Sequence, residues 1–341
     1  MNAIILAGGE GTRLKSVTGD LPKPMARLCG APLLEHILAL LKRNGVRRVC
    51  LALHYRPEVI RDYFGDGSRF GLELSFRVER APLGTAGAVR ICREFWEGRD
   101  ALVMSGDCAC DFDLRPLMEA HRRLDAAVTL GLYSHPSPLQ YGVVLTDRQR
   151  RVVGFVEKPR WEQVVSDLVN TGIYVVSHRA MEAVPEGREF DFAKDLFPLL
   201  LSRGERLYGL PLEGYWCDIG TPRSYHQCNL DALDGRLRLD LSPDPAPEKQ
   251  EPSPEPESET RRVVSCRSRA RLMRALSENL MEAGADFTDG ITVSSASGKV
   301  HICPERDSEG VRVAADNPAL CRRYAAMAAA AEGRLGAQEA K

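Results

Sequence analysis

From Ala3 to about Leu239 short apolar runs alternate with helical patterns, the signature of a mainly parallel sheet covered by helices. Strands are predicted at residues 3–6, 48–53, 72–78, 101–105 and 127–132. Pro32 followed by Leu33, Leu34, Ile37, Leu38 and Leu41 makes a stripe of helical period, closed by Asn44-Gly45, and predicts a helix. The later runs at 142–145, 152–157 and 172–176 have no helix between them. An antiparallel patch should therefore interrupt the parallel order and form a lobe over the functional site.

Residues 242–260 read SPDPAPEKQEPSPEPESET, without one large apolar side chain. Such a segment cannot build a core and is expected to be an extended linker. Beyond it, 269–283 is amphipathic, strand candidates follow at 291–294, 299–302 and 311–314, and a helix runs from about 318 to 332. The expected organisation is a domain over 1–241, the linker over 242–260 and a small α/β module over 261–335. That module, at roughly 75 residues, has a size that folds alone only marginally.

With 341 residues and 44% hydrophobic content the chain can bury one large core and a smaller one. Its 46 basic and 47 acidic residues leave a net charge of -1. No basic excess points to nucleic acid, while small anions remain suitable partners for local clusters. The start lacks a basic lead, and no run approaches the roughly 20 apolar residues of a membrane span. Of ten cysteines only Cys108 and Cys110 lie close together, in a spacing that fits neither CxxC redox chemistry nor a zinc site. A reduced cytoplasmic setting is expected.

Candidate chemistry begins directly after the first strand, at Gly8-Gly9-Glu10-Gly11-Thr12-Arg13-Leu14, with Pro22-Lys23-Pro24 beyond. Glycines let backbone N–H groups approach phosphate oxygens, and Arg13 and Lys23 add fixed positive charge. Leu14 stands where a dinucleotide fingerprint needs a third glycine, and no Walker Gly-Lys-Ser/Thr is present. Ser105-Gly106-Asp107 puts an acid at the end of an apolar strand, where ligands gather on open α/β sheets. Trp216-Cys217-Asp218-Ile219-Gly220-Thr221-Pro222 repeats that arrangement before a helix. Brought together, Asp107 and Asp218 suit Mg²⁺, which accepts one or two carboxylates plus phosphate oxygens; taken singly, an acid at a strand end more often merely caps a turn or helix. Lys158, after Glu157 at a strand end, suits a sugar phosphate, and Glu157 and Asn170 suit sugar hydroxyls; a solvated ion pair and a turn asparagine are the plain alternatives. Pro82-Leu83-Gly84-Thr85-Ala86-Gly87 opens a helix and either admits a nucleobase or packs on the sheet.

In this order the motifs, with Pro22-Lys23-Pro24-Met25, Glu157-Lys158-Pro159 and Asn170-Thr171-Gly172-Ile173-Tyr174, resemble the nucleotidyltransferase family that makes nucleotide sugars. The resemblance covers about residues 1–235. It implies a Rossmann-like mixed α/β sheet with a sugar-binding lobe and Mg²⁺ held near Asp107 and Asp218. It also implies a nucleotide held by Leu6, Gly8, Gly9, Gly11, Thr12, Arg13, Lys23, Glu79, Leu83, Gly84 and Thr85. Lys158 falls on the sugar phosphate, with Gly142, Glu157 and Asn170 near the sugar, and Asp195 looks like the family's supporting acid on a helix. Arg13, Lys23, Asp107, Lys158 and Asp218 are the implied catalytic set.

Within the family, residues 79–87 and the Pro-Lys-Pro-Met form are most similar to mannose-1-phosphate guanylyltransferases. Guanine presents N–H donors, which an acceptor such as Glu79 would suit. Heptose-1-phosphate guanylyltransferases share much of the pattern, and glucose-1-phosphate enzymes using UTP or dTTP stay open. Many such relatives continue into a hexapeptide-repeat β-helix, whereas here the linker begins soon after Leu241. The module after it resembles the C-terminal domain of phosphohexomutases. Its loop, Pro304-Glu305-Arg306-Asp307-Ser308-Glu309-Gly310, carries three carboxylates that would repel phosphate, and it is expected to be a packing or partner surface.

The implied reaction is in-line attack by a sugar 1-phosphate oxygen on the α-phosphorus of an NTP, with pyrophosphate leaving. A sugar phosphate carries about -1.5 to -2 charges near neutral pH, so the protein's task is to position two anions and offset their charge. A catalytically silent nucleotide-sugar sensor is the alternative of another class, and the acids and cations it would be free to lose are all present. A homo-oligomer is compatible with either reading.

Overall fold

The computed structural model describes residues 1–135, 138–158, 166–240, 260–267, 269–280, 285–286, 291–304 and 310–339. In chain order the strands begin β1 (Asn2–Leu6), β2 (Arg27–Leu28), β3 (Ala31–Pro32), β4 (Arg48–Leu53), β5 (Glu73–Val78) and β6 (Ala101–Ser105). There follow β7 (Cys108–Cys110), β8 (Val128–Ser134), β9 (Gly142–Thr146), β10 (Val152–Glu157), β11 (Leu168–Val176) and β12 (Leu207–Pro211). The last are β13 (Trp216–Asp218), β14 (Arg261–Ser265), β15 (Ile291–Ser295), β16 (Gly298–Pro304) and β17 (Gly310–Ala315). Contacts divide the chain into two units, one of residues 1–11, 21–25 and 33–218, the other of 12–20, 26–32 and 219–341.

The first unit holds a nine-stranded mixed sheet in the order β10-β9-β11-β6-β1-β4-β5, with β8 paired to β11 and β12. β6, β1, β4 and β5 run parallel. The inner three of these are continuous apolar runs because helices cover both faces of such strands, and Ile4, Val103 and Cys50 are fully buried. The antiparallel patch expected from the helix-free stretch is present: β9 pairs with β10, and β11 with β6, β8 and β9. Helix Leu33–Arg43 buries the predicted stripe of Leu33, Leu34, Ile37, Leu38 and Leu41. It stops where Gly45 takes φ 82°, a left-handed value that glycine adopts without a Cβ clash. Its last residues also hold the chain beyond β7. Buried Asn44 accepts the Leu114 N–H at 2.8 Å, and Arg43 donates to the Asp111 and Phe112 carbonyls at 2.7 and 3.1 Å.

The second unit contains the antiparallel sheet β14-β17-β16-β15. Helices Arg269–Leu280 and Pro318–Glu339 bury Leu272, Leu276, Cys321 and Tyr324 against Ile291, Ile302 and Val313. Leu230, from helix Pro222–Leu233, joins this cluster. Three of the four strands follow the predicted positions; β14 is additional. The closing helix runs to Glu339, past the expected end and through Gly333 and Gly336, with Leu335 packed against the core of this unit. Residues 241–259, which include nearly all of the expected linker, and the acidic residues 305–309 lie outside the described residues. Among the described residues no helix is long and apolar enough to cross a membrane.

Candidate active site

The ends of β1 and β6 meet through a glycine. Gly106 donates its N–H to the Leu6 carbonyl at 2.9 Å, and this contact sets Asp107 beside the turn that follows β1. Asp107 Oδ1 accepts the Ser105 hydroxyl at 2.5 Å, and its Oδ2 accepts from Lys23 Nζ at 2.7 Å. The same ammonium reaches Asp218 Oδ1 at 3.5 Å. Asp218 arrives on the two-stranded ribbon β7–β13, in which it faces Cys108. Two acids 111 positions apart in the numbering thus converge on one buried lysine. Burial works to raise the Asp107 carboxyl, but the charge and hydrogen bond of Lys23, helped by Ser105, hold it below the usual carboxylate range.

The donor set is the one expected of a hard cation. Two carboxylates face a position already occupied by positive charge, and Mg²⁺ commonly takes one or two carboxylates and completes its shell with water and phosphate oxygens. Among the described residues no group of three or more His, Cys, Asp or Glu could hold a metal ion.

The glycines of the first turn differ in what they do. Gly11 has φ 67°, and a Cβ there would lie 2.7 Å from Lys23 Cβ, so glycine is what lets the Lys23 stem pass. A Cβ at Gly9 would meet nothing within 4 Å. At Gly8 it would lie 3.1 Å from Glu79 Oε1. Glu79 Oε2 accepts the Leu83 N–H at 3.0 Å, so this side chain ties the glycine turn to the loop opening helix Gly84–Arg90. Burial raises the Glu79 carboxyl above its ordinary value, against the Leu83 N–H and His54. Thr12 and Arg13 belong to the second unit, in a short turn Thr12–Leu14 with both side chains exposed.

Packing explains much of the 83–87 loop. Gly84 has φ 69° and a Cβ there would stand 2.7 Å from the Phe190 carbonyl. That carbonyl accepts the N–H groups of Ala86 and Gly87, each at 3.0 Å. The Thr85 hydroxyl donates to Asp191 Oδ2 and accepts from the Phe192 N–H, both at 2.9 Å. Asp195 in turn accepts the Asp191 N–H at 2.7 Å. Gly84 and Thr85 thus shape the loop through its contact with residues 190–192.

The antiparallel patch brings the remaining residues together. Gly142 and Glu157 are cross-strand partners, and a Cβ at Gly142 would lie 2.9 Å from Glu157 Oε2 and 3.9 Å from Asn170 Cβ. Asn170 Oδ1 accepts the Gly172 N–H at 3.1 Å and the Tyr174 hydroxyl at 2.9 Å, where the β11 register shifts between Asn170 and Ile173. Lys158 follows β10 at φ 43° with its N–H on the Tyr141 carbonyl at 3.1 Å. A left-handed lysine is an uncommon conformation that surrounding structure must hold; its side chain is exposed. The motifs assign no role to Tyr141 and include Trp216 only as the first residue of the Asp218 motif; the two rings lie 5.2 Å apart edge to face. Burial, then the nearby Asp218 charge, pushes the Tyr141 hydroxyl up to about 12. Their signal was position: Tyr141 directly precedes Gly142, and Trp216 stands two before Asp218.

Residues 2–235 match the profile of the family described as Nucleotidyl transferase. The chain is similar to mannose-1-phosphate guanylyltransferase of Mycobacterium tuberculosis, with 37% identity over 236 residues, covering 69% of this chain and 65% of the relative. It is also similar to UTP–glucose-1-phosphate uridylyltransferase of Synechocystis sp., at 35% identity over 67% of this chain and 62% of that one. The chain thus spans slightly under two thirds of the length of either relative. Among solved structures, HddC from Yersinia pseudotuberculosis complexed with GMP-PN superposes with a TM-score of 0.59 at 31% identity, over 67% of this chain and 97% of HddC. On the profile match, which spans more than half of its residues, this chain belongs to the nucleotidyl transferase family.

Proposed function

We propose that this protein transfers a nucleotidyl group from an NTP to a sugar 1-phosphate, with GTP and mannose 1-phosphate as the preferred pair. The observation that carries this reading is the convergence of Asp107 and Asp218 on Lys23 beside the glycine turn. A sugar-phosphate oxygen bonds to the α-phosphorus, the bond between that phosphorus and the β-phosphate oxygen breaks, and its electrons leave with pyrophosphate. The protein holds the two anions in line and offsets their charge, and no side chain acts as nucleophile.

Each residue then has a role in binding or orientation. Gly8, Gly9 and Gly11 leave backbone room for phosphates, and Lys23 meets the triphosphate; the resemblance gives Arg13 the same role. Glu79 and Leu83 border the base, while Gly84 and Thr85 keep their loop in shape. Lys158 takes the sugar phosphate, and Gly142, Glu157 and Asn170 face the sugar. Asp107 and Asp218 would hold Mg²⁺, which when bound supplies neutralisation of phosphate charge. We assign this chemistry to residues 1–241 and none to the module at 261–335.

Guanine and mannose are supported by the Mycobacterium tuberculosis relative's name, by the guanine-type ligand in the HddC complex and by the acceptor oxygens of Glu79. The Synechocystis relative favours a second reading, UTP with glucose 1-phosphate. Pyrophosphate release measured for four NTPs against mannose, glucose and heptose 1-phosphates separates the two. The fastest release is expected with GTP and mannose 1-phosphate; equal or faster use of UTP would replace that pair while keeping the reaction.

A further inference from the structure

Lys23 is 8% exposed, yet its ammonium touches both carboxylates of the proposed metal site. Its Nζ stands 2.7 Å from Asp107 Oδ2 and 3.5 Å from Asp218 Oδ1, so the two acids are its nearest opposite charges. We infer that in the ligand-free protein Lys23 is the internal counter-ion of the Asp107–Asp218 pair, and that nucleotide must draw its ammonium away before the pair accepts a divalent cation. Metal and nucleotide then bind as a coupled pair. This inference rests on reading the two acids as the metal site.

Three features carry it. Asp107 Oδ1 accepts the Ser105 hydroxyl and Oδ2 the Lys23 ammonium, so a cation taken up by Oδ2 would compete with that ammonium. An ammonium and a divalent cation on the same carboxylate oxygens repel each other at distances of a few ångströms, well inside the screening length of physiological salt. Finally, the Lys23 stem lies against Gly11 in the phosphate-type turn, where a Cβ would come within 2.7 Å of it. The ammonium therefore stands on a flexible stem rooted beside the expected triphosphate. A triphosphate offers it a stronger partner and at the same time releases the carboxylates. Because coupling is reciprocal, metal should strengthen nucleotide binding by the factor with which nucleotide strengthens metal binding.

The test uses Mn²⁺ as probe, followed by the relaxation of water protons on the full-length chain without nucleotide. Lys23→Met should bind Mn²⁺ at least tenfold more tightly than the unmodified protein, and adding Asp218→Asn should abolish the gain. Lys23→Gln repeats the measurement with a polar neutral side chain, and thermal melting confirms that each variant is folded. Unchanged nucleotide-free Mn²⁺ affinity in both folded Lys23 variants would overturn the counter-ion role, even where Asp107→Asn and Asp218→Asn stop pyrophosphate release. Wild-type pyrophosphate release by both Asp variants would instead overturn the metal site itself.

Discussion

A Cβ on Gly106 would lie 2.7 Å from the Leu6 carbonyl oxygen, the atom that accepts the Gly106 N–H. The glycine of Ser105-Gly106-Asp107 therefore closes the gap between two strand ends and fixes where Asp107 stands. Gly106→Ala must separate backbone from backbone, which costs about 1–3 kcal/mol as overpacking. A Tm lower by several degrees and slower pyrophosphate release are the expected outcomes. An unchanged melting curve would show that the strands separate without strain.

Gly9 makes the opposite case, because a Cβ there meets no protein atom within 4 Å. Gly9→Ala should leave Tm unchanged while raising KM for the NTP, since on the proposed reading the added methyl enters space that the phosphates would fill. Equal KM values would remove Gly9 from the nucleotide site.

Lys158 is proposed to hold the sugar phosphate. A hydrogen bond to a charged group is worth about 1.5–3 kcal/mol, so Lys158→Ala should raise KM for the sugar 1-phosphate about tenfold or more and that for the NTP much less. Steady-state kinetics with each substrate varied in turn checks this, and the reverse pattern would exchange the roles of Lys158 and Lys23.

Glu79 gives a pH dependence with a definite sign. Its carboxyl is raised in the folded protein, mainly by burial, so the folded state binds the proton more tightly than the unfolded chain does. This stability is present below the unfolded value of about 4.3 and is lost as pH rises through the folded value. Glu79→Gln still accepts the Leu83 N–H but does not titrate. Its Tm relative to the unmodified protein should therefore increase as pH rises from about 4 through the acid range and then level off. A difference that falls over that window would contradict the burial argument.

Cutting the chain after residue 242 tests the proposed division of labour. Leu230 sits in the cluster with Leu276, Ile302 and Tyr324, so losing the module exposes it, at about 1.5–3 kcal/mol for a fully buried leucine. The shortened protein should keep transferase activity with a lower Tm. A folded but inactive product would give the module a part in the reaction.

Much of this architecture is legible in the sequence because it is local. The apolar runs of β1, β4 and β6 and the stripe of Leu33–Arg43 state their own period. Asp107 and Asp218 were recognisable from short neighbouring motifs, although their meeting was an inference. The ribbon that joins them is not legible in the sequence: Cys108–Cys110 and Trp216–Asp218 are three residues each, too short for periodicity, and they pair although β8 to β12 lie between them in the chain. The same limit hid the contact between Glu79 and Gly8. It also hid the approach of the Phe190 carbonyl to Gly84, where a Cβ would lie 2.7 Å from it. Strand β14 went unnoticed because Arg261-Arg262-Val263-Val264-Ser265 adjoins a polar tract and lacks clean alternation.

The most direct measurement of the central claim follows the α-phosphorus of GTP. With GTP labelled at that atom, mannose 1-phosphate and Mg²⁺, the account predicts label in a nucleotide sugar, one unlabelled pyrophosphate per labelled product, and almost none of either from Asp218→Asn. Label remaining in GTP across all sugar 1-phosphates and nucleotides tried, with a folded protein that still binds nucleotide sugar, would contradict transfer and leave a binding protein.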